Sequence, residues 1–211
     1  LADILVAAAE KSGLPTGAIS LVETTDREAV NLLLKMNRFI DVIIPRGGAG
    51  LIRTIVENST VPVIETGTGI CHTFIDESAD LAMAADIAFT AKTSRPGTCN
   101  SMETLLVHRA IADRLMPALL ARFADAGVEL RGCGKTTAYH SAVKPATEED
   151  WSTEYLDFIL SVKIVDSLDE ALEHIERYST RHSEAIVTRD YANARRFQQM
   201  VDAAAVYVNA S

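Results

Sequence analysis

The chain has 211 residues, 48% of them hydrophobic, and carries a formal net charge of −9 with an isoelectric point near 5.0. That length buries a real core in one large or two small domains. The acidic balance argues against nucleic acid, and no apolar run approaches the roughly 20 residues that span a bilayer.

Taken in order, helices and strands alternate. A helix pattern over 1–12 (Leu1, Ile4, Leu5, Ala8) opens without a cap and stops at Gly13; a strand follows at 18–22. Thr25-Asp26-Arg27-Glu28 has capping-box spacing and opens a helix to about 36. A short apolar strand at 41–44 turns through Gly47-Gly48-Ala49-Gly50 into a helix at 51–57. Strands are expected at 61–65 and 72–75, then a helix at 79–91. A second α/β series begins with a strand at 103–108 and a helix at 109–126 stopped by Gly127. It continues with a strand at 128–131, an unpatterned stretch at 132–154 that hints at a surface role, and a strand at 158–165. A capping box at Ser167 starts a helix to 178, and a strand (184–188), a helix (191–203) and a closing strand (206–209) complete the chain. Continuous apolar strands alternating with helices predict an α/β fold with a buried parallel sheet. The first residue is Leu, and the last stretch stops without a terminal element, so a fragment is expected.

The most informative stretch is Lys92-Thr93-Ser94-Arg95-Pro96-Gly97-Thr98-Cys99-Asn100. A thiol becomes a nucleophile where positive charge and backbone donors favour the thiolate. Lys92 and Arg95 are placed to supply that charge, and Pro96-Gly97 breaks the preceding helix. Cys71, Cys99 and Cys133 are odd in number and widely spaced, which is neither a disulfide framework nor a zinc pattern and points to a reducing compartment. Cys71 and His72 are adjacent, so a strand would send them to opposite sides, Cys71 to the core and His72 to the surface. The other histidines show no metal spacing and read as structural or solvated, and the acidic helix at 167–178 as a solvated face.

Arg46-Gly47-Gly48-Ala49-Gly50 follows a strand and opens a helix, where free N–H groups favour a phosphate. The dinucleotide fingerprint is not met, since Arg53 stands where its third glycine belongs, and a plain tight turn is the competing reading. Gly132-Cys133-Gly134-Lys135-Thr136 lacks the first glycine of a P-loop and is rejected as one. Glu65 ends an apolar strand before Thr66-Gly67-Thr68-Gly69. A carboxylate at the carboxyl end of a parallel strand points to the usual ligand crevice, while an acid capping a turn is the plainer account.

Three runs then carry a family resemblance. They are Asp41-Val42-Ile43-Ile44-Pro45-Arg46-Gly47-Gly48-Ala49-Gly50-Leu51-Ile52, Val63-Ile64-Glu65-Thr66-Gly67-Thr68-Gly69, and Lys92-Thr93-Ser94-Arg95-Pro96 with Cys99-Asn100. Together they resemble the gamma-glutamyl phosphate reductases, a family within the aldehyde dehydrogenase superfamily. The chain resembles the middle of that family's sequence. The resemblance implies part of a Rossmann-like NADP-binding domain over 1–96 and an α/β catalytic domain over 97–211. It implies Cys99 as nucleophile and Glu65 as the position of the superfamily's general base. Arg46, Gly47, Gly48 and Thr66 fall near the cofactor's phosphates, and Glu154 where the superfamily holds the nicotinamide ribose. Two departures stand out. The usual Phe-Gly-Pro after that acid is replaced by Leu156-Asp157-Phe158, and Gly97-Thr98 precedes the cysteine where Ser-Val is expected.

The activity so implied is NADPH-dependent reduction of L-glutamyl 5-phosphate to L-glutamate 5-semialdehyde and phosphate through a Cys99 thioester, the second step of proline biosynthesis. The backbone N–H of Cys99 is the expected oxyanion donor, and Lys92 or Arg95 the attractor of the leaving phosphate. The resemblance further implies a cytoplasmic homo-oligomer in transient contact with glutamate 5-kinase, with no membrane, metal or nucleic-acid partner. Two other readings stand beside it: an NAD-dependent oxidiser of free aldehydes, which would favour Glu-Leu-Gly-Gly-Lys over the Glu-Thr-Gly-Thr-Gly found here, and a truncated chain that turns nothing over.

Overall fold

The computed structural model describes residues 1–65 and 67–211, with the side chain of Ala49 left out. By packing, the chain divides into two compact units, Leu1–Thr66 and Gly67–Ser211.

Among the described residues, the first unit holds three helices, α1 (Ala2–Lys11), α2 (Arg27–Leu33) and α3 (Ala49–Asn58). Asp26 caps α2 by accepting from the Glu28 N–H at 2.9 Å, so the cap is one residue later than the Thr25 box predicted. Leu34, Ile52, Ile55 and Val61 form its buried centre. The strands expected at 18–22, 41–44 and 61–65 are not formed. Only a single parallel bridge joins Ile43 to Val63, with the Ile43 N–H on the Pro62 carbonyl at 2.8 Å and the Ile64 N–H on the Ile43 carbonyl at 2.9 Å. An apolar run becomes a strand only when neighbours complete its ladder and bury its face. Here Leu21, Val22, Val42, Ile44 and Ile64 stay exposed.

In the second unit, among the described residues, seven strands form one sheet. They are β1 (Cys71–Ile75), β2 (Met102–His108), β3 (Glu129–Gly132), β4 (Val143–Pro145), β5 (Ile159–Val165), β6 (Ser183–Val187) and β7 (Ala205–Val208). Their order is β4-β3-β5-β2-β1-β6-β7, and each neighbouring pair is parallel. Helices α4 (Leu81–Thr93) and α5 (Arg109–Asp125) belong with the core on one face, which includes Ile75, Leu105, Leu119, Phe123 and Val162. Helices α6 (Leu168–Tyr178) and α7 (Tyr191–Met200) supply the other, around Phe74, Leu106, Ile175 and Phe197. Both faces are covered, which is why the strands read as continuous apolar runs.

The Ser167 cap forms as expected, and two further caps, at Asp80 and Asp190, join it. Asp80 caps α4, Asp190 caps α7, and Ser167 accepts from the Glu170 N–H at 3.1 Å. The Glu170 carboxylate reaches back to the Asp166 N–H at 2.7 Å rather than to Ser167. Asp169, Glu173 and Glu176 lie exposed, the expected solvated face of α6. Position 96/97, the expected functional boundary, lies within this unit, where β1 pairs with β2 and α4 packs against β2.

The stretch 132–154 is more ordered than its lack of periodicity suggested. It contains 3-10 turns at Thr136–Ala138 and Glu149–Ser152, strand β4, and the buried pair Asp150 and Trp151. Asp150 organises it, accepting from the Thr147 N–H at 2.7 Å, the Arg131 guanidinium at 2.6 Å and the Tyr155 hydroxyl at 2.8 Å. Burial works against the charge, but the Thr147 N–H, Arg131 and Tyr155 hold the carboxyl at about 2, below its ordinary 3.8. A depressed acid contributes stability above its unfolded value and loses it as pH falls towards the folded one. We therefore expect Asp150→Ala to lower the unfolding free energy by about 1–3 kcal/mol near neutrality, because several donors lose their acceptor. Urea titration measures it, and the difference from the parent should shrink as pH falls from about 4 to about 2. An equal urea midpoint at pH 7 would sink this account.

Candidate active site around Cys99

Cys99 lies in the loop that joins α4 to β2, so it sits at the amino-terminal edge of a central strand. Ligands of open α/β sheets usually bind at the carboxyl edge. Here that edge carries a structural cluster instead: Asp76, just past β1, accepts from Ser78 and Thr188 at 2.7 Å each and from Asn193 at 3.1 Å.

At the amino edge, strand order brings three distant segments together. Strands β1, β2 and β5 are neighbours, so their lead-ins at 69–71, 95–101 and 154–158 converge. The Gly69 N–H donates to Glu154 Oε1 at 2.6 Å. The Cys71 thiol donates to the Cys99 carbonyl at 3.3 Å. Gly69 itself lies so close that a Cβ there would stand 1.4 Å from the Cys99 carbonyl oxygen and 2.4 Å from its carbon. Only glycine fits this approach.

The three thiols differ sharply. Cys99 is exposed, Cys133 is half-buried and Cys71 is buried. Burial, with the Glu184 carboxylate nearby, pushes Cys71 up to about 12. For Cys133 burial is outweighed by the Thr136 hydroxyl and neighbouring N–H groups, which pull the thiol below its ordinary value. Among the described residues no acceptor takes a hydrogen bond from the Cys99 N–H.

Lys92 and Arg95, both expected near the thiol as free cations, part company. Arg95 is exposed in the loop. Lys92 is fully buried, paired with Glu103 at 2.6 Å, and its charge is committed there. A sequence signal for this existed. Ala84, Ala88 and Lys92 recur every four residues on α4, and all three are at 0% exposure, so Lys92 falls on the apolar stripe. Burial drives the Glu103 carboxyl up to about 7, against the pull of the Lys92 ammonium.

His72 is buried, not at the surface as alternation suggested, because helices cover both faces of the sheet. Its Nδ1 lies 3.1 Å from Glu184 Oε2, which also accepts the His72 N–H at 2.8 Å. His174 packs edge-on to it at 5.4 Å between ring centres, and burial forces that imidazole to about 2, so it is neutral. No group of three or more His, Cys, Asp or Glu among the described residues is arranged to hold a metal ion.

Of the other expected site residues, Glu154 joins Cys99 through Gly69, half-buried in the second unit. Arg46, Gly47 and Gly48 are exposed at the amino end of α3, where Gly48 is the N-cap and offers no side-chain cap. Glu65 is exposed in the first unit, and Thr66 lies outside the described residues.

Comparison with known proteins accords with this architecture. The gamma-glutamyl phosphate reductase of Caldanaerobacter subterraneus subsp. tengcongensis is 60% identical over 211 residues, which is all of this chain and 51% of that protein. That of Moorella thermoacetica is 61% identical over the same 211 residues, 50% of its length. The crystal structure of gamma-glutamyl phosphate reductase from Thermotoga maritima superposes with a TM-score of 0.90 at 48% identity, covering 100% of this chain and 51% of that one. The chain thus spans about half the length of the curated relatives it matches. The model of the aldehyde dehydrogenase family matches residues 1–138, a span that runs through the first unit, the Gly69 turn and the Cys99 loop. With its parallel sheet and a single exposed cysteine leading into a central strand, the chain belongs to the aldehyde dehydrogenase family.

Proposed function

We propose that this chain forms the nucleophile-bearing part of a gamma-glutamyl phosphate reductase, which converts L-glutamyl 5-phosphate to L-glutamate 5-semialdehyde. The observation that carries the reading is the exposed Cys99 at the amino edge of the sheet, its carbonyl against Gly69 and the Gly69 N–H on Glu154, within a chain about 60% identical to proteins of that name. The Cys99 sulfur attacks the acyl carbon and displaces phosphate, leaving a thioester. The unspent Cys99 N–H stabilises the oxyanion that develops on that carbon. Arg95 is the exposed loop cation that draws the departing phosphate; Lys92, committed to Glu103, is not.

Enzymes of the aldehyde dehydrogenase family use NAD(P), and NADP is the form proposed here. The amino end of α3 suits its phosphates: Gly48 has open space where a side chain would stand, Gly47 lies beside it, and Arg46 is exposed. Thr66 belongs to the same proposed set. When bound, the reduced nicotinamide supplies the hydride that turns the thioester carbon into the aldehyde. The Glu154 carboxylate is proposed to hold its ribose. The wider assignment is a cytoplasmic homo-oligomer that receives its acyl phosphate from a kinase of the glutamate 5-kinase type. Among the described residues no helix is long and apolar enough to cross a membrane.

Glu65 separates this reading from an aldehyde oxidiser. An oxidiser hydrolyses its thioester and needs a carboxylate to activate water, an effect of about a hundredfold or more. A phosphate-dependent enzyme has no such step, because phosphate itself cleaves the thioester. In the complete protein, Glu65→Gln should cut side hydrolysis about a hundredfold while lowering phosphate-dependent oxidation of glutamate semialdehyde by less than about tenfold. Both rates are read as NADPH formation with and without phosphate. Equal collapse of the two would count against the proposed roles, as would the absence of phosphate-dependent turnover in the parent.

A further inference from the structure

The loop that carries Cys99 is closed at its base by one buried ion pair. Lys92 is in the last turn of α4 and Glu103 is the second residue of β2, so the pair bridges the two stems of the loop. Their side chains meet at 2.6 Å with 0% and 1% exposure. Ser101 Oγ donates to the Ala91 carbonyl at 3.3 Å beside them, a second tie between the same stems.

The pair also reaches the third segment of the site. Glu103 Oε1 accepts the Leu156 N–H at 3.3 Å, and the Lys92 ammonium lies 5.9 Å from the centre of the Tyr155 ring. Leu156 has φ of +54°, a left-handed conformation uncommon for a residue of its bulk, so something must hold it. Two residues earlier, Glu154 fastens the Gly69 turn against the Cys99 carbonyl. Lys92, Glu103, Leu156, Glu154, Gly69 and Cys99 are thus linked in turn by these contacts and by the short chain segments between them.

A buried ion pair is a poor device for stability alone, since an apolar pair of similar volume often serves as well or better. We propose that Lys92 and Glu103 are positioning residues for Cys99: they join the stems of its loop and, through the Leu156 N–H, lock that loop to the segment carrying Glu154. The proposal rests on the reading of Cys99 as the nucleophile. Neither residue touches substrate. Each acts through the backbone that aims the sulfur.

The test replaces the pair by an apolar one, Lys92→Met with Glu103→Leu, in the complete protein. Thermal unfolding should stay close to the parent, because the packing volume is kept. Cys99 alkylation by iodoacetamide should slow about fivefold, and kcat should fall about tenfold or more with KM within about twofold, since misplacement of a reacting atom costs rate rather than ground-state binding. The single change Glu103→Gln keeps shape and one acceptor, and should lose only about threefold in each rate. Should the double variant fail to fold, Glu103→Gln carries the test. Alkylation and kcat at parental values in a folded variant would overturn the proposal. If the parent itself neither turns over nor labels at Cys99, it is the nucleophile assignment that falls.

Discussion

Cys99→Ala in the complete protein should abolish reduction of the acyl phosphate, with kcat down by at least about a thousandfold, because it removes the sulfur proposed to form the thioester. Cys71→Ala and Cys133→Ala should keep most of the activity. The distinction is one of access. Cys99 is exposed, while Cys71 is buried and its thiol is pushed up to about 12, which leaves almost no thiolate near neutrality. Cys133 is the more serious rival, since hydrogen bonding from Thr136 favours its thiolate, but the side chain is only half accessible and sits past β3, away from Gly69 and Glu154. Brief treatment with iodoacetamide followed by peptide mapping should label Cys99 first, Cys133 more slowly and Cys71 last. Faster reaction at Cys71, together with loss of activity in Cys71→Ala, would show the nucleophile to be misassigned.

The next largest loss is expected from a single methyl group at position 69. A Cβ on Gly69 would stand 1.4 Å from the Cys99 carbonyl oxygen and 3.0 Å from its Cα, and the three nearest atoms it meets are all backbone. No rotamer change can relieve that overlap, so either the Gly69 turn or the Cys99 loop must move. The Gly69 N–H then loses its alignment with Glu154, and the Cys71 thiol its alignment with Cys99. We expect Gly69→Ala to lower kcat about a hundredfold, the scale on which a displacement of roughly 1 Å acts, with only a modest fall in the unfolding midpoint. Gly134→Ala is the control, because a Cβ there meets nothing within 4 Å, and it should stay within about twofold of the parent. Parental kcat in a folded Gly69→Ala protein would show that the close approach does not govern the thiol.

These two residues also show how far a linear reading goes. Cys99 announces itself, since a cysteine after Arg95-Pro96-Gly97 is an odd choice for a core position. Gly69 was visible as one glycine of a Thr-Gly-Thr-Gly run, but nothing local says that its missing side chain is required by a carbonyl 30 residues on. Lys92 reads locally as a free cation, yet it lies buried. Its spacing with Ala84 and Ala88 placed it on the buried stripe of α4, and Glu103, set among Met102, Leu105 and Leu106, was the partner to look for. Alternation predicts His72 at the surface, a rule that holds for a sheet with one wet face. It fails where α6 covers that face. The three strands expected in the first unit failed for the opposite reason, since their apolar side chains meet no completed sheet.

The sequence by itself determined the helices, the Ser167 cap, the strands of the second unit apart from β4, and the loop that presents Cys99. These depend on periodicity and capping, which act over a few residues and are written locally. Only the tertiary structure decided which polar groups meet. Glu154 reaches Gly69 across 85 positions and His72 meets Glu184 across 112, because β1 lies between β2 and β6 and the lead-in to β5 falls beside those of β1 and β2. Strand order is a property of the whole sheet, set by how both faces are buried at once. That is why the thiol was legible in the chain, and the brace that aims it was not.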